Sequence, residues 1–283
     1  MENLESVSYQ PESGARPRGR HIILDMRQHF EPTRGISISS LAHEYPAGWQ
    51  VPAHSHNCSQ FLYASSGVMR LTFGRTLLLV PPQFAVFIPA QVVHSIKMPH
   101  AVSMRTLYLR HGLITDRTRS VLYVRPLLRE LILEAVRRKG LDRRVRADAA
   151  LCELLIAEIR KAAPVPIELV MPVDARAHAL AEFILENLSR PQALGDQCRN
   201  FGVSVRTMQR LFRRELGIDV ETWRRHGRLI KAVELLSFGR RVKEVTAAVG
   251  YRQTATLTTA FRLAFGVPPK AWLAGFGQDL NVA

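Results

Sequence analysis

The side chains best suited to chemistry are four arginines and a glutamine in the segment Ala193–Leu216, ALGDQCRNFGVSVRTMQRLFRREL. Read at helical period, Met208, Leu211, Phe212, Glu215 and Leu216 mark an inward edge, and Arg206, Thr207, Gln209, Arg210, Arg213 and Arg214 project from the opposite side. Guanidinium and amide groups on one exposed helical face suit phosphate oxygens and the guanine and adenine edges of a major groove; the alternative is a solvated charged face. The elements that must position them are legible in the same stretch. A first helix ends at Phe201-Gly202-Val203, where glycine permits the positive φ of a tight turn, and Ser204 caps a second helix, which is a helix-turn-helix layout.

A second copy of this layout runs from Val242 to Phe265, with its turn at Gly250, 48 residues after Gly202. Here Leu257, Ala260, Phe261 and Phe265 face inward, leaving Arg252, Gln253, Thr254, Thr258, Thr259 and Arg262 for a groove. This face carries less charge and should contribute less affinity. Between the copies, about Val220 to Ser237, Trp223, Leu229, Ile230, Val233 and Leu236 predict an amphipathic helix.

The tandem arrangement, the central helix and the closing FGVPPKAW (Phe265–Trp272) resemble the DNA-binding domain of AraC/XylS-type transcriptional regulators over about 100 residues. The chain departs from that family's pattern at Thr259, where a basic residue is common, at Cys198, where alanine is usual, and at Phe201, where leucine is usual. The resemblance implies a one-component regulator, with two helices entering successive major grooves about 34 Å apart on one face of the duplex.

Upstream, short apolar runs such as Ile36–Ser40, Phe61–Ala64, Val68–Phe73, Thr76–Val80, Ala85–Ile88 and Ser103–Leu109, separated by Gly and Pro, predict a small antiparallel barrel or sandwich. Within it, Gly48, His54, Ser55, His56, Gln60 and Gly67 resemble the first cupin motif, with Gln60 where glutamate is standard. Pro89 and His94 resemble the second, with Gln91 in place of the usual glycine. Alternate residues of a strand share a face, so His54 and His56 can both point inward, and a returning strand can bring His94 beside them. Three imidazoles and the Gln60 amide oxygen suit a divalent transition metal; the same residues could instead line an organic pocket or only hydrogen-bond. No acid remains in the motif to act as a base, which argues against oxygenase or isomerase chemistry, and the chain is not expected to be an enzyme. Glu44 is the nearest acid in sequence, and His100 and His111 read as surface residues.

After Arg110 the period becomes helical: Leu127, Leu128, Leu131, Ile132 and Ala135 form one stripe, and Leu151, Leu154, Leu155 and Ile159 another. These stripes exceed what capping a small barrel needs, which predicts a homodimer interface; the alternative is packing on the chain's own barrel. The expected architecture is α+β and multidomain. It has a polar, disordered tail over 1–20, a cupin-like effector-sensing barrel over 21–112, a helical dimerisation segment and Pro-rich linker over 113–172, an all-α tandem helix-turn-helix domain over 173–275, and a tail over 276–283.

Composition is consistent with this reading. Thirty-nine basic against 24 acidic residues give a net charge of +15, which favours a polyanionic partner. The excess is spread over both halves, 22 basic against 14 acidic up to residue 170 and 17 against 10 after it, so charge does not localise the binding face. No uncharged stretch of membrane-spanning length occurs, and no secretory signal is recognised. Three scattered cysteines without a CxxC pair fit a reducing, cytoplasmic setting. The expected partners are double-stranded DNA, a small-molecule or metal effector, RNA polymerase and a second copy of the chain, whether activator or repressor. Two other functions remain open: a metal-dependent cupin enzyme fused to a nucleic-acid module, and a constitutive DNA-binding protein whose barrel is a scaffold.

Overall fold

The computed structural model describes residues 31–165, 167–190 and 192–274. The tails expected over 1–20 and 276–283, and the expected start of structure near His21, lie outside the described residues. The N-terminal half contains strands β1 (Ile36–Tyr45), β2 (Gln50–His54), β3 (Ser59–Ser66), β4 (Met69–Phe73), β5 (Thr76–Val80), β6 (Phe84–Ile88), β7 (His94–Lys97), β8 (Val102–Leu109) and β9 (Ser120–Tyr123). Helix α1 (Pro126–Arg138), β10 (Gly140–Asp142), α2 (Arg146–Lys161) and β11 (Glu168–Val170) follow. The remainder is helical: α3 (Ala175–Glu186), α4 (Leu194–Asn200), α5 (Val205–Leu216), α6 (Val220–Ser237), α7 (Val242–Ala248), α8 (Thr254–Phe265) and α9 (Pro269–Ala274).

The strands form two antiparallel sheets, ordered β10-β1-β8-β3-β6-β9 and β11-β5-β4-β7-β2, which share no strand, so the expected barrel is a sandwich that does not close. The first sheet is covered on both faces, which is why every residue of β6 and the run Gln60–Ala64 of β3 are buried. Leu62, Ala64, Val86 and Ile88 face the second sheet, whereas Phe61, Tyr63, Ala85, Phe87 and Leu107 face α1 and α2.

That outer layer accounts for the apolar stripes. Leu128, Ile132, Ala135, Leu151, Leu155 and Ile159 pack on the chain's own sheet, and of the stripe residues only Leu127 and Leu154 are largely exposed, at 47% and 42%. The surplus that argued for a subunit interface therefore shrinks to those two leucines. The stretch 163–172 is also not a free linker, because Glu168–Val170 pairs with Thr76–Leu78 of β5. Its prolines stop α2 but leave the three N–H groups of β11 able to pair.

In the helical half, α5 and α8 are equivalent. Each has 12 residues and ends at a left-handed glycine, Gly217 at φ 73° and Gly266 at φ 77°. The turns differ by one residue: Ser204 caps α5 with its hydroxyl on Thr207 N, and Gln253 precedes α8 without a side-chain cap. Asp219 caps α6, the expected central helix, which buries ten of its residues between the two units. Gly250 adopts φ 79°, and a Cβ there would lie 2.0 Å from the Leu188 carbonyl oxygen beyond α3; Gly202, at φ 63°, faces open space.

Gly250→Ala should therefore destabilise the helical half by more than about 3 kcal/mol, whereas Gly202→Ala should cost only the left-handed backbone strain, about 1–2 kcal/mol. Chemical denaturation of the two variants checks this, and equal losses would contradict the close approach at Leu188.

Candidate nucleic-acid interface and effector site

The first reading helix exposes Arg206, Arg210, Arg213 and Arg214, the last paired with Glu215 at 3.0 Å, while Met208, Leu211 and Phe212 are buried as the period requires. Arg206, Arg210 and Arg213 recur at four- and three-residue steps and so share one face. Two expected contacts are partly engaged at home. Thr207 is half-buried and exchanges a 3.0 Å hydrogen bond with Ser204, and Gln209 accepts a long hydrogen bond from Val220 N at 3.4 Å, joining α5 to α6. Glu215 faces inward as expected, accepting from Val173 N and Asp174 N and fixing the entry to α3.

On the second unit Arg252, Gln253, Thr254, Thr259 and Arg262 are exposed, and Thr258 is half-buried. Ala255, Thr256 and Leu263 are exposed on the same helix. None of the three belongs to the face expected from helical period; their positions follow from matching α8 to α5 residue by residue. The FGVPPKAW segment ends the unit by seating Trp272 against Phe261 at 5.3 Å, Phe265 at 5.0 Å and, across the domain boundary, Phe84 of β6 at 5.4 Å. Cys198, at the crossing of α4, is fully buried.

The sensor rests on α6. Trp223 Nε1 donates to the Val170 carbonyl of β11 at 2.8 Å, Ser237 bonds Gln83, and His100 meets Phe238 edge-on at 4.6 Å. Glu234, with its side chain 2% exposed, lies between Lys231 at 2.7 Å and Arg70 of β4 at 3.5 Å. A cleft of about 690 Å³ is lined by Arg119, Val165, His226, Leu229, Ile230 and Phe265, so its walls come from both halves.

The histidines do converge. His54 at the end of β2 lies opposite His94 at the start of β7, and the rings of His54, His56 and His94 are 4.3–5.7 Å apart, with ligand atoms mutually within 4.8 Å. All three are buried. His56 reaches the cluster from the loop after β2 and not by strand alternation. That loop is tied by Gln91 N donating to the His56 carbonyl and by Gln91 Nε2 donating to Asn57 Oδ1. Gln91, standing where glycine is usual, adopts φ 64°, the left-handed backbone that glycine would take without strain.

Nδ1 of His54 lies 2.8 Å from the Pro52 carbonyl and Nδ1 of His94 lies 3.0 Å from that of Val92, so each Nδ1 carries the proton and Nε2 keeps its lone pair. Burial, then the neighbouring imidazoles, lowers the His56 pKa to about 4; burial, aided by His54, brings His94 to about 4, against the pull of the Val92 carbonyl. At neutral pH both are neutral, and their Nε2 atoms have no hydrogen-bond partner among the described residues. This donor set fits a divalent transition metal. Gln60 faces the same interior beside the Tyr108 hydroxyl, and Tyr108 meets His56 edge-on at 5.1 Å. Glu44 is outside the cluster, held on the surface by Ser103 and Arg105. His100 and His111 are exposed, and the three cysteines are buried and free.

A helix-turn-helix domain model matches residues 197–275, and a model described as an AraC-like ligand binding domain matches 37–168. The chain is an AraC-family transcriptional regulator. Among curated relatives it is similar to the HTH-type transcriptional regulator NimR of Escherichia coli, 29% identical over 224 residues that cover 79% of this chain and 82% of NimR. It is also similar to the HTH-type transcriptional regulator RipA of Corynebacterium glutamicum, 31% identical over 105 residues, 37% of this chain and 32% of RipA. Similar solved structures include unsaturated fatty acid bound ToxT from Vibrio cholerae, 11% identical with a TM-score of 0.36 and covering 84% of this chain and 95% of that one. The match to the ligand-binding domain model takes in α1, α2 and the start of β11.

If Arg70 and Lys231 neutralise Glu234, Arg70→Met alone should cost under about 1 kcal/mol, because Lys231 remains and Arg70 is partly solvated. Adding Lys231→Met should cost about 3 kcal/mol or more, since the carboxylate is then buried without a cation. Denaturation midpoints of the two variants check this, and purely additive small losses would contradict it.

Proposed function

We propose that this regulator binds double-stranded DNA through both helix-turn-helix units, α5 and α8 entering successive major grooves on one face of the duplex. The observation that carries the reading is the structural repeat of two equally long, equally terminated helices that each pack on one buried helix. The proposed contacts are Ser204, Arg206, Thr207, Gln209, Arg210, Arg213 and Arg214 from the first unit. The second supplies Arg252, Gln253, Thr254, Thr258, Thr259 and Arg262, with Gln209 divided between DNA and its α6 contact.

The sensor responds to a small molecule or a divalent transition metal held at His54, His56, Gln60 and His94. What supports a metal is the buried, neutral Nε2 pair of His56 and His94 within reach of a third imidazole. In this reading the imidazoles are ligands and not catalysts, and the protein works as a regulator rather than as an enzyme. The regulator acts in the cytoplasm on RNA polymerase at its promoters, as a homodimer whose residual apolar surface at Leu127 and Leu154 is available for pairing.

Arg206→Ala and Arg210→Ala should each weaken specific binding by about 1–3 kcal/mol if they read bases, and should relax selectivity at one position each. Fluorescence anisotropy on specific and mismatched duplexes tests this, and a uniform loss across sequences would reduce them to phosphate contacts. Elemental analysis of protein purified without chelator should find near-stoichiometric transition metal that disappears in the His54→Ala, His56→Ala double variant. Absence of metal in both would leave an organic effector.

A further inference from the structure

Aligning α5 with α8 from cap to terminating glycine places Ala255 at the position of Arg206, Thr256 at Thr207, Thr259 at Arg210, Arg262 at Arg213 and Leu263 at Arg214. Three of the four exposed arginines of the first head are thus replaced in the second by side chains that end in methyl groups. All of these α8 residues are exposed, and Leu263 is 83% exposed. Ala255, Thr259 and Leu263 recur every four residues and form one stripe, flanked by the retained cation of Arg262.

We infer that the second head reads thymine by its 5-methyl groups, with Ala255, Thr256, Thr259 and Leu263 as the surface against them. The inference rests on the two-groove reading above and specifies its second half. In the major groove only thymine presents a methyl group, and apolar contact from alanine or a threonine methyl recognises it, whereas arginine recognises guanine O6 and N7. The bound site is therefore composite: a guanine-bearing half under α5 and a thymine-bearing half under α8. Arg262 supplies a phosphate contact, and the methyl stripe supplies apolar burial of about 0.8 kcal/mol per group, about fourfold in affinity. The stripe is assigned to DNA and not to a protein partner because it occupies, residue for residue, the frame of the arginine face on an equivalent helix of the same domain.

The test begins with duplexes selected from a random library by the full chain. The half whose selectivity Arg206→Ala relaxes belongs to α5, and the other to α8. The α8 half is expected to carry thymine at two or more positions. Replacing those thymines by deoxyuridine, which lacks only the methyl, should weaken binding about fourfold for each contacted base, and the same replacement under α5 should change little. Leu263→Ala, which keeps a strong helix former, and Ala255→Gly, near the helix start, should each blunt the deoxyuridine effect without altering affinity for the α5 half. A thymine-free second half, or no deoxyuridine effect while that groove stays protected from cleavage, overturns the inference and leaves the two-groove reading intact. An unprotected second groove overturns both. If Leu263→Ala abolishes transcription yet leaves DNA affinity and the deoxyuridine effect unchanged, the stripe belongs to a protein partner and the methyl reading of Leu263 falls.

Discussion

The burial of α6 is the constraint on which the rest of the regulator depends. The helix is flanked by Asp219, which caps its start, and by Phe238, and along its length Trp223, Leu229, Val233 and Leu236 are buried. At Gly227 a Cβ would come within 2.8 Å of Leu185, so α3 and α6 approach as closely as a missing side chain allows. A helix held this tightly cannot rotate without disturbing both reading heads, because α5 bonds its N-terminus through Gln209 and α7 and α8 also pack on it. Spacing between the heads is thus a property of one packed core, and association with a duplex need not order it again.

The same helix is where the sensor meets the heads. His94 opens β7; β7 pairs with β4, which carries Arg70; Arg70 meets the buried carboxylate of Glu234 on α6. A few hydrogen-bonded steps therefore join the imidazole cluster to the helix that spaces the heads. Contiguity alone is not coupling; what the contact provides is one buried carboxylate shared by a cation of the sandwich, Arg70, and a cation of α6, Lys231.

The helical half was largely legible because amphipathic helices repeat their signal over three or more turns. Met208, Leu211 and Phe212 had to be buried together, and α6 was placed at Val220–Ser237 from its apolar period alone. The sensor was legible in its longer strands and in the convergence of His54, His56 and His94. Three- and four-residue strands were not: β9 and β10 lie in a region read as helical, and β11 lies in a stretch read as linker, since so few residues display no period. Nor could local pattern tell which surface the stripes of α1 and α2 would cover, because an apolar face is the same whether it meets its own sheet or another subunit. The route of His56 into its cluster, along a loop fixed by a left-handed Gln91, depends on hydrogen bonds that composition does not encode.

The central claim is that one rigid domain reads two grooves. Hydroxyl-radical footprinting of the full chain on a selected duplex tests it directly. Two protected stretches on the same face, about 10–10.5 base pairs apart for each protomer, are the predicted result. Protection of a single groove per protomer, with the second unaffected even at saturating protein, would contradict it.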